Sequence, residues 1–246
     1  MSTQSADDNL KRVTKELVSS KKGILAADES SGTMNKRLDA IKVEGTLENR
    51  SMWREVVVSS QGIEEAISGV ILFDETLRTP LPNGKMIVDL LKSKNIHPGI
   101  KVDLGLVKIN EQGETFTQGL DKLEERLVDY KKMGATFAKW RAVYKIGENI
   151  PSTVAITSNS IGLAQYAFLC QKVGLVPIVE PEILVLDGSH NINKSKEVTN
   201  KVLKEVFYWL KKFEVKMVGM LLKPNMVLPG KDSKEKSSAE EIAKIT

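Results

Sequence analysis

Cysteine is almost missing from this 246-residue chain. Cys170 alone excludes an internal disulfide framework and suits a reducing compartment. Histidine is nearly as scarce. His97 precedes Pro98 in what reads as a surface turn, and His190 sits in Asp187-Gly188-Ser189-His190 ahead of a helix. Two histidines so placed, with one cysteine, do not compose a zinc site. Aromatic residues make up 5% of the chain, too few for base stacking, and the net charge of +4 is modest. Anionic substrates are therefore allowed and nucleic acid is not called for. No apolar run approaches the ~18 residues of a membrane-spanning helix. Met1 to Asp8 is polar and acidic, unlike a secretory signal. These absences lead to the expectation of a soluble, cytoplasmic protein without membrane insertion.

What the chain has is one theme repeated. Short apolar runs occur at Gly23–Ala27, Gly69–Phe73, Gly99–Leu104, Thr136–Arg141, Val176–Glu180 and Val218–Lys223. Segments of helical spacing lie between them. Leu10, Val13 and Leu17 mark a first helix started by Asp7 and Asp8. Leu120, Leu123, Leu127 and Tyr130 mark another, ended by Gly134, and Val198, Val202, Val206 and Leu210 a third after Asn193. Strands alternating with helices at intervals of ~30–45 residues predict βαβ units and a parallel sheet. The first run is followed by Ala27-Asp28-Glu29-Ser30-Ser31-Gly32, which is not the G-x-G-x-x-G of a dinucleotide fold.

Charge placement decides between an open sheet and a barrel. Asp28 follows the first run, Lys101 and Asp103 lie late in the third, and Lys139 and Arg141 end the fourth. Glu180 and Glu182 end the fifth, and Lys223 ends the sixth. In a (β/α)₈ TIM barrel all strand ends open onto one mouth, where such charges converge. The prediction is thus α/β: a TIM barrel with about its first six βα units within residues 1–246, read as a single domain. Closure needs two further units beyond Thr246, since Ser237 to Thr246 resembles a helix start with Glu240 and Glu241 in its first turn. The expectation is a C-terminally shortened barrel, open and inactive as a product of this length.

Lys223 ends the apolar run Met217–Leu222 and is stopped by Pro224. A lysine at the mouth of a buried strand is costly unless paired or employed. A nucleophilic amine that forms a Schiff base is the employment that suits it, with Lys139 as the cationic neighbour that lowers its pKa. Glu180 would shuttle protons and Asp28 act as base, the set a retro-aldol reaction needs. Structural ion pairs of Lys139 and Arg141 with Glu180 and Glu182 are the alternative. Ser30, Ser31, Gly32 and Thr33, beside Arg37, suit either phosphate binding at a helix start or ordinary capping. Lys231–Lys236 reads as a solvated loop, and Trp140 and Trp209 as packing residues.

Six blocks carry a resemblance: Gly23–Ser30, Gly99–Asp103, Thr117–Asp121, Phe137–Arg141, Val179–Leu184 and Leu222–Val227. In order and spacing they resemble the class I fructose-1,6-bisphosphate aldolases of eukaryotic type. The resemblance implies a metal-independent, cofactor-free lyase of glycolysis and gluconeogenesis, cleaving fructose 1,6-bisphosphate to two triose phosphates. Lys223 then matches the Schiff-base lysine, Asp28 the acid/base at the scissile bond, Glu180 the proton shuttle and Lys139 the lysine that tunes the site. Lys101, Arg141, Ser30, Thr33, Arg37 and Glu182 match substrate-binding positions. A cytosolic homotetramer is implied, as is binding to actin or acidic tails, for which Lys201, Lys204, Lys211 and Lys212 offer a basic face. Relatives usually carry lysine at Leu104 and serine at Thr33, and Val185-Leu186 lengthens the stretch after Glu182. The family's 1-phosphate loop and terminal tyrosine fall beyond Thr246. A related lysine aldolase or transaldolase acting on another sugar phosphate is the competing reading.

Overall fold

The computed structural model describes residues 3–19, 21–185 and 187–246. Met1, Ser2 and Leu186, on which parts of the terminal and post-Glu182 readings fall, lie outside the described residues. The chain begins with α1 (Thr3–Leu17), where Leu10, Val13 and Leu17 form one buried stripe. β1 (Gly23–Ala27), α2 (Ser31–Ala40), α3 (Leu47–Ser59) and the single-turn α4 (Ile63–Ala66) follow. β2 (Ile67–Leu72) leads through α5 (Asp74–Arg78) and α6 (Ile87–Ser93) to β3 (His97–Lys101). An antiparallel hairpin, β4 (Leu106–Lys108) and β5 (Thr115–Thr117), precedes α7 (Leu123–Lys132) and β6 (Phe137–Tyr144). Then come α8 (Thr153–Val173), β7 (Val176–Ile183), α9 (Ile192–Lys212), a 3-10 turn at Met217–Gly219, β8 (Leu221–Leu222) and α10 (Ala239–Ile245). Helices α2, α3, α8, α9 and α10 each open on a Ser, Thr or Asn whose side chain accepts an otherwise unpaired backbone N–H. Among the described residues no helix is long and apolar enough to cross a membrane.

Six parallel strands form the main sheet in the order β1-β2-β3-β6-β7-β8. Its curvature follows from one distance. β1 and β6 are three strands apart, about 14 Å in a flat sheet at ~4.8 Å per strand. Yet Lys139 Nζ of β6 lies 2.6 Å from Asp28 Oδ2, one residue beyond β1. The sheet must curl, and α1 packs against the inner side. Leu10, Val13 and Leu17 pack with Ile71, Phe137, Val176 and Ile178 on its concave face. Ala138, Trp140, Val179 and Ile183 point the other way, into the larger core shared with the outer helices. This is the six-unit arc of a TIM barrel. β1 and β8 do not pair with each other, and a cleft of about 410 Å³ lined by Ile24, Ala26, Leu221 and Lys223 separates them.

The concave floor is tight. An added Cβ on Gly99 would lie 2.2 Å from the Phe137 ring, and one on Gly69 would lie 2.6 Å from Leu17. Glycine is required at both because helix and ring approach the strand backbone there.

Several local expectations change. Met217–Leu222 is not one buried strand. Met217 and Val218 are exposed, and only Leu221–Leu222 enters the ladder. The reason is Gln171, whose amide donates to the carbonyls of Lys216 and Gly219 at 2.8 and 3.1 Å and accepts from Lys216 N at 2.9 Å. The backbone is thus satisfied without strand pairing. α1 starts at Thr3 rather than at Asp7, which instead pairs with Lys216. α9 is capped by Asn191, not Asn193, and Leu120 precedes α7. His97 is no surface turn residue: it begins β3, hydrogen-bonded to Glu16 at 3.0 Å and Thr136 at 3.2 Å. The loop at Lys231–Lys236 is tied to the segment before α9, Asp232 N donating to Gly188 O at 3.1 Å and Asn191 Nδ2 donating to Glu235 Oε1 at 3.5 Å. Trp140 is fully buried and stacks on Tyr166 of α8.

Candidate active site at the carboxyl ends of the strands

Along the concave face of β6 the side chains run Phe137, Lys139, Arg141, and along β7 they run Val176, Ile178, Glu180, Glu182. Both strands change from apolar to charged as they approach their carboxyl ends. Parallel register puts the charged positions side by side: Lys101 pairs with Lys139, and Arg141 with Glu180. Asp28 and Lys223 stand one residue past β1 and β8.

Lys139 is the centre. Its side chain is 8% exposed, and its ammonium sits 2.6 Å from Asp28 Oδ2 and 3.3 Å from Glu180 Oε2. Burial pulls its pKa down, but Asp28 and Glu180, with Asp103 further off, outweigh burial and leave it raised. Lys139 is therefore a fixed cation between two carboxylates. Glu180, 5% exposed, uses its other oxygen, Oε1, to accept from Lys223 Nζ. One carboxylate is thus shared by two lysines.

Lys223 differs from its expected environment. It is 50% exposed, because β8 is a two-residue edge strand facing the open cleft toward β1. The buried lysine of the site is Lys139. The backbone at Lys223 is nonetheless held from both sides: its N–H donates to Val179 O at 2.9 Å, and Asn225 Oδ1 accepts from Ile183 N at 2.8 Å. Pro224 ends the strand between these two anchors.

A cavity of about 660 Å³ opens beside this group, lined among others by Asp28, Ser30, Thr33, Arg37, Lys101 and Arg141. Five of the remaining site candidates thus border one space, which Glu180, Glu182 and Lys223 do not line, and most already have partners. Ser30 Oγ accepts from Thr33 N at 3.3 Å, the helix-capping arrangement, and lies 3.1 Å from Thr33 Oγ1. Arg37 pairs with Glu29. Lys101 donates to Asp103 Oδ1 at 2.7 Å. Arg141 pairs with Glu182. The ion-pair alternative for Lys139, Arg141, Glu180 and Glu182 is thus realised in the resting structure, and it does not conflict with a catalytic use of the same groups.

Sequence reasoning missed Glu29 and Arg54 and left Asp103 without a role. Arg54 carried a signal: with Arg50 and Val58 it falls on the i, i+4, i+8 stripe of α3 that faces inward, an odd place for a cation. Among the described residues, no group of three or more His, Cys, Asp or Glu side chains is arranged to hold a metal ion.

Comparison with known proteins agrees with this architecture. The family model for fructose-bisphosphate aldolase class-I matches residues 9–246. Cytosolic fructose-bisphosphate aldolase 4 of Arabidopsis thaliana is 53% identical over 226 residues, covering 92% of this chain and 57% of the relative. The fructose-bisphosphate aldolase of Dictyostelium discoideum is 49% identical over 243 residues, covering 97% of this chain and 68% of the relative. The chain therefore spans roughly three fifths to two thirds of the length of these relatives. Fructose-bisphosphate aldolase from Plasmodium falciparum, crystallised as a ternary complex with TRAP and a small-molecule inhibitor, superimposes with a TM-score of 0.96. It is 46% identical, over all of this chain and 71% of that one. With a family model matched over nearly its whole length and a six-strand arc of the same barrel, this chain belongs to the class I fructose-bisphosphate aldolase family.

Proposed function

We propose that this chain carries the Schiff-base half of an aldolase site that cleaves fructose 1,6-bisphosphate to dihydroxyacetone phosphate and glyceraldehyde 3-phosphate. The observation that carries this reading is the sharing of Glu180 between two unlike lysines: Lys223, half exposed on the cleft between β1 and β8, and Lys139, buried and held cationic by Asp28. A purely structural pair has no need of the second, accessible lysine.

The chemistry follows from these positions. Glu180 takes a proton from the Lys223 ammonium and frees the amine to attack carbon 2 of the substrate. The same carboxyl group returns the proton to the leaving hydroxyl, so water departs and an iminium remains. Asp28 removes the proton from the hydroxyl on carbon 4. The bond between carbons 3 and 4 breaks, its electrons pass into the enamine, and the aldehyde product leaves. Asp28 gives up that proton to carbon 3 of the enamine, and attack by water on the resulting iminium releases the second triose phosphate and restores Lys223. Lys139 stabilises the carboxylates throughout without giving up its proton. Lys101, Arg141 and Arg37 supply positive charge around the cavity for the anionic substrate, with Ser30 and Thr33 at its border. Glu182 keeps Arg141 in place.

Borohydride reduction in the presence of fructose 1,6-bisphosphate should fix a substrate-derived mass on Lys223, with or without EDTA. Lys223→Met should abolish it. An adduct of equal yield on the variant, or one mapped to Lys139, would sink the assignment. The cytosol is the proposed compartment, on the name of the Arabidopsis relative; recovery in an organelle fraction would contradict it.

A further inference from the structure

Asp28 sits on the turn between β1 and α2, with no regular backbone partner of its own in either element. What holds that turn is a side chain from a different helix. Arg54 of α3 is 3% exposed. Its Nε donates to the carbonyl of Ala27 at 2.9 Å, and its Nη2 donates to the carbonyl of Glu29 at 2.9 Å. The two carbonyls belong to the residues immediately before and after Asp28. Nη2 also lies 3.2 Å from Glu29 Oε2, and Glu29 Oε1 accepts from Arg37 at the cavity rim. One planar guanidinium therefore spans the carbonyls of the residues on both sides of Asp28 and reaches Arg37 through one carboxylate.

We infer that Arg54 is a positioning residue for the bond-breaking step: it fixes the backbone on both sides of Asp28 so that the carboxylate meets the substrate hydroxyl. The geometry suits arginine and not lysine. A rigid fork meets the two carbonyls from two separate nitrogens, Nε and Nη2, which a single ammonium nitrogen cannot do, and a guanidinium keeps its charge when buried. Burying this cation away from solvent carries a large desolvation cost before compensation. Burial does draw its pKa down, opposed by Glu29 and Asp28. Holding a turn for packing alone could be done by an apolar side chain without that cost. Arg50, one turn earlier on α3, provides the contrast. It makes a two-pronged pair with Glu75 at 2.7 Å and donates to Gly45 O at 2.6 Å, so it braces the same region without touching the Asp28 turn.

The inference rests on the aldolase reading, and the test separates the two. Schiff-base formation needs Lys223 and Glu180, whereas carbon–carbon cleavage needs Asp28. Borohydride quenching of a single turnover with fructose 1,6-bisphosphate leaves a hexose adduct on Lys223 before cleavage and a lighter triose adduct after it, resolved by intact mass. Arg54→Ala should form the hexose adduct as the parent chain does and convert it to the triose adduct about 100-fold more slowly, the scale expected for a displacement near 1 Å. Arg54→Lys, reaching one carbonyl, should fall between. Arg50→Ala should lower the melting temperature and leave the conversion rate alone. Conversion in Arg54→Ala at the parent rate overturns the inference, as does an equal slowing in Arg50→Ala, which would mark mere loss of structure. A parent chain that traps only the hexose adduct overturns it too, since Asp28 would not be placed for cleavage at all. Absence of any adduct on the parent chain sinks the aldolase reading itself. If circular dichroism shows Arg54→Ala unfolded, Arg54→Lys carries the comparison, and full-rate conversion there overturns the inference.

Discussion

The floor and the mouth of the barrel arc are built on the same strands, two residues apart, and obey opposite rules. Phe137 on the floor is fully buried against Leu17, Ile71 and Ile178. Burial of a side chain of that size contributes about 1.5–3 kcal/mol. Lys139, the next residue inward on β6, is nearly as buried. It starts from a penalty of several kcal/mol for leaving water. Asp28 and Glu180, brought from other strand ends, offset that penalty, with Asp103 further off. The floor stabilises the fold through non-directional apolar burial, limited by close fit at Gly69 and Gly99. The mouth is tolerable only in one arrangement of charges. Such breaks in the local rules are expected where a protein spends stability on function.

The largest test of this contrast removes the central cation. Lys139→Met would leave two buried carboxylates facing each other, at a cost of about 3–5 kcal/mol in urea unfolding near neutral pH. A loss below ~1 kcal/mol would mean that the mouth is no more constrained than a surface. The pH dependence has a definite sign. The pKa of Lys139 is raised above its ordinary 10.5, so its contribution is complete below that value and is lost as pH climbs through the folded value. The parent chain should therefore weaken at strongly alkaline pH by a component that Lys139→Met lacks.

Gly99→Ala probes the floor instead. Its new methyl meets the Phe137 ring, so stability should fall by about 1–3 kcal/mol while borohydride trapping on Lys223 persists. Loss of trapping without loss of stability would show that floor and mouth are not separable.

The smallest effect belongs to His97, below the floor. Burial lowers its pKa from 6.5, against the opposing pull of Glu16. The neutral ring's contribution is thus complete above 6.5 and lost as pH falls through the folded value, at no more than about 1.4 kcal/mol per pH unit. His97→Gln should flatten that slope in urea titrations. A histidine titrating above 6.5 by NMR would reverse the sign.

How far the sequence alone reached depends on the type of signal. The alternation Phe137-Ala138-Lys139-Trp140-Arg141 announces a strand with one face turning from apolar to charged, and the structure has that strand. The Leu10, Val13, Leu17 stripe announces a buried helix face, though not that the face packs against Ile71, Phe137, Val176 and Ile178 of three strands. Met217–Leu222 misled because apolar content says nothing about the backbone, and Gln171, far away in sequence, satisfies that backbone instead. Arg54 escaped notice because its value lies in two carbonyls of another element, which leave no mark on its own neighbours in the chain.

The sequence by itself determined the order of elements, the parallel sheet and the residue types delivered to the strand ends, because periodicity and the direction of parallel strands are local or topological properties. Tertiary structure alone decided which lysine is buried. Lys223 ends an apolar run but lies on an edge strand beside an open cleft. Lys139 lies on a central strand where the curl of the sheet brings Asp28 to within 2.6 Å. Solvation of a charge depends on what closes over it from every side, and that is a property of the curved sheet rather than of any one segment.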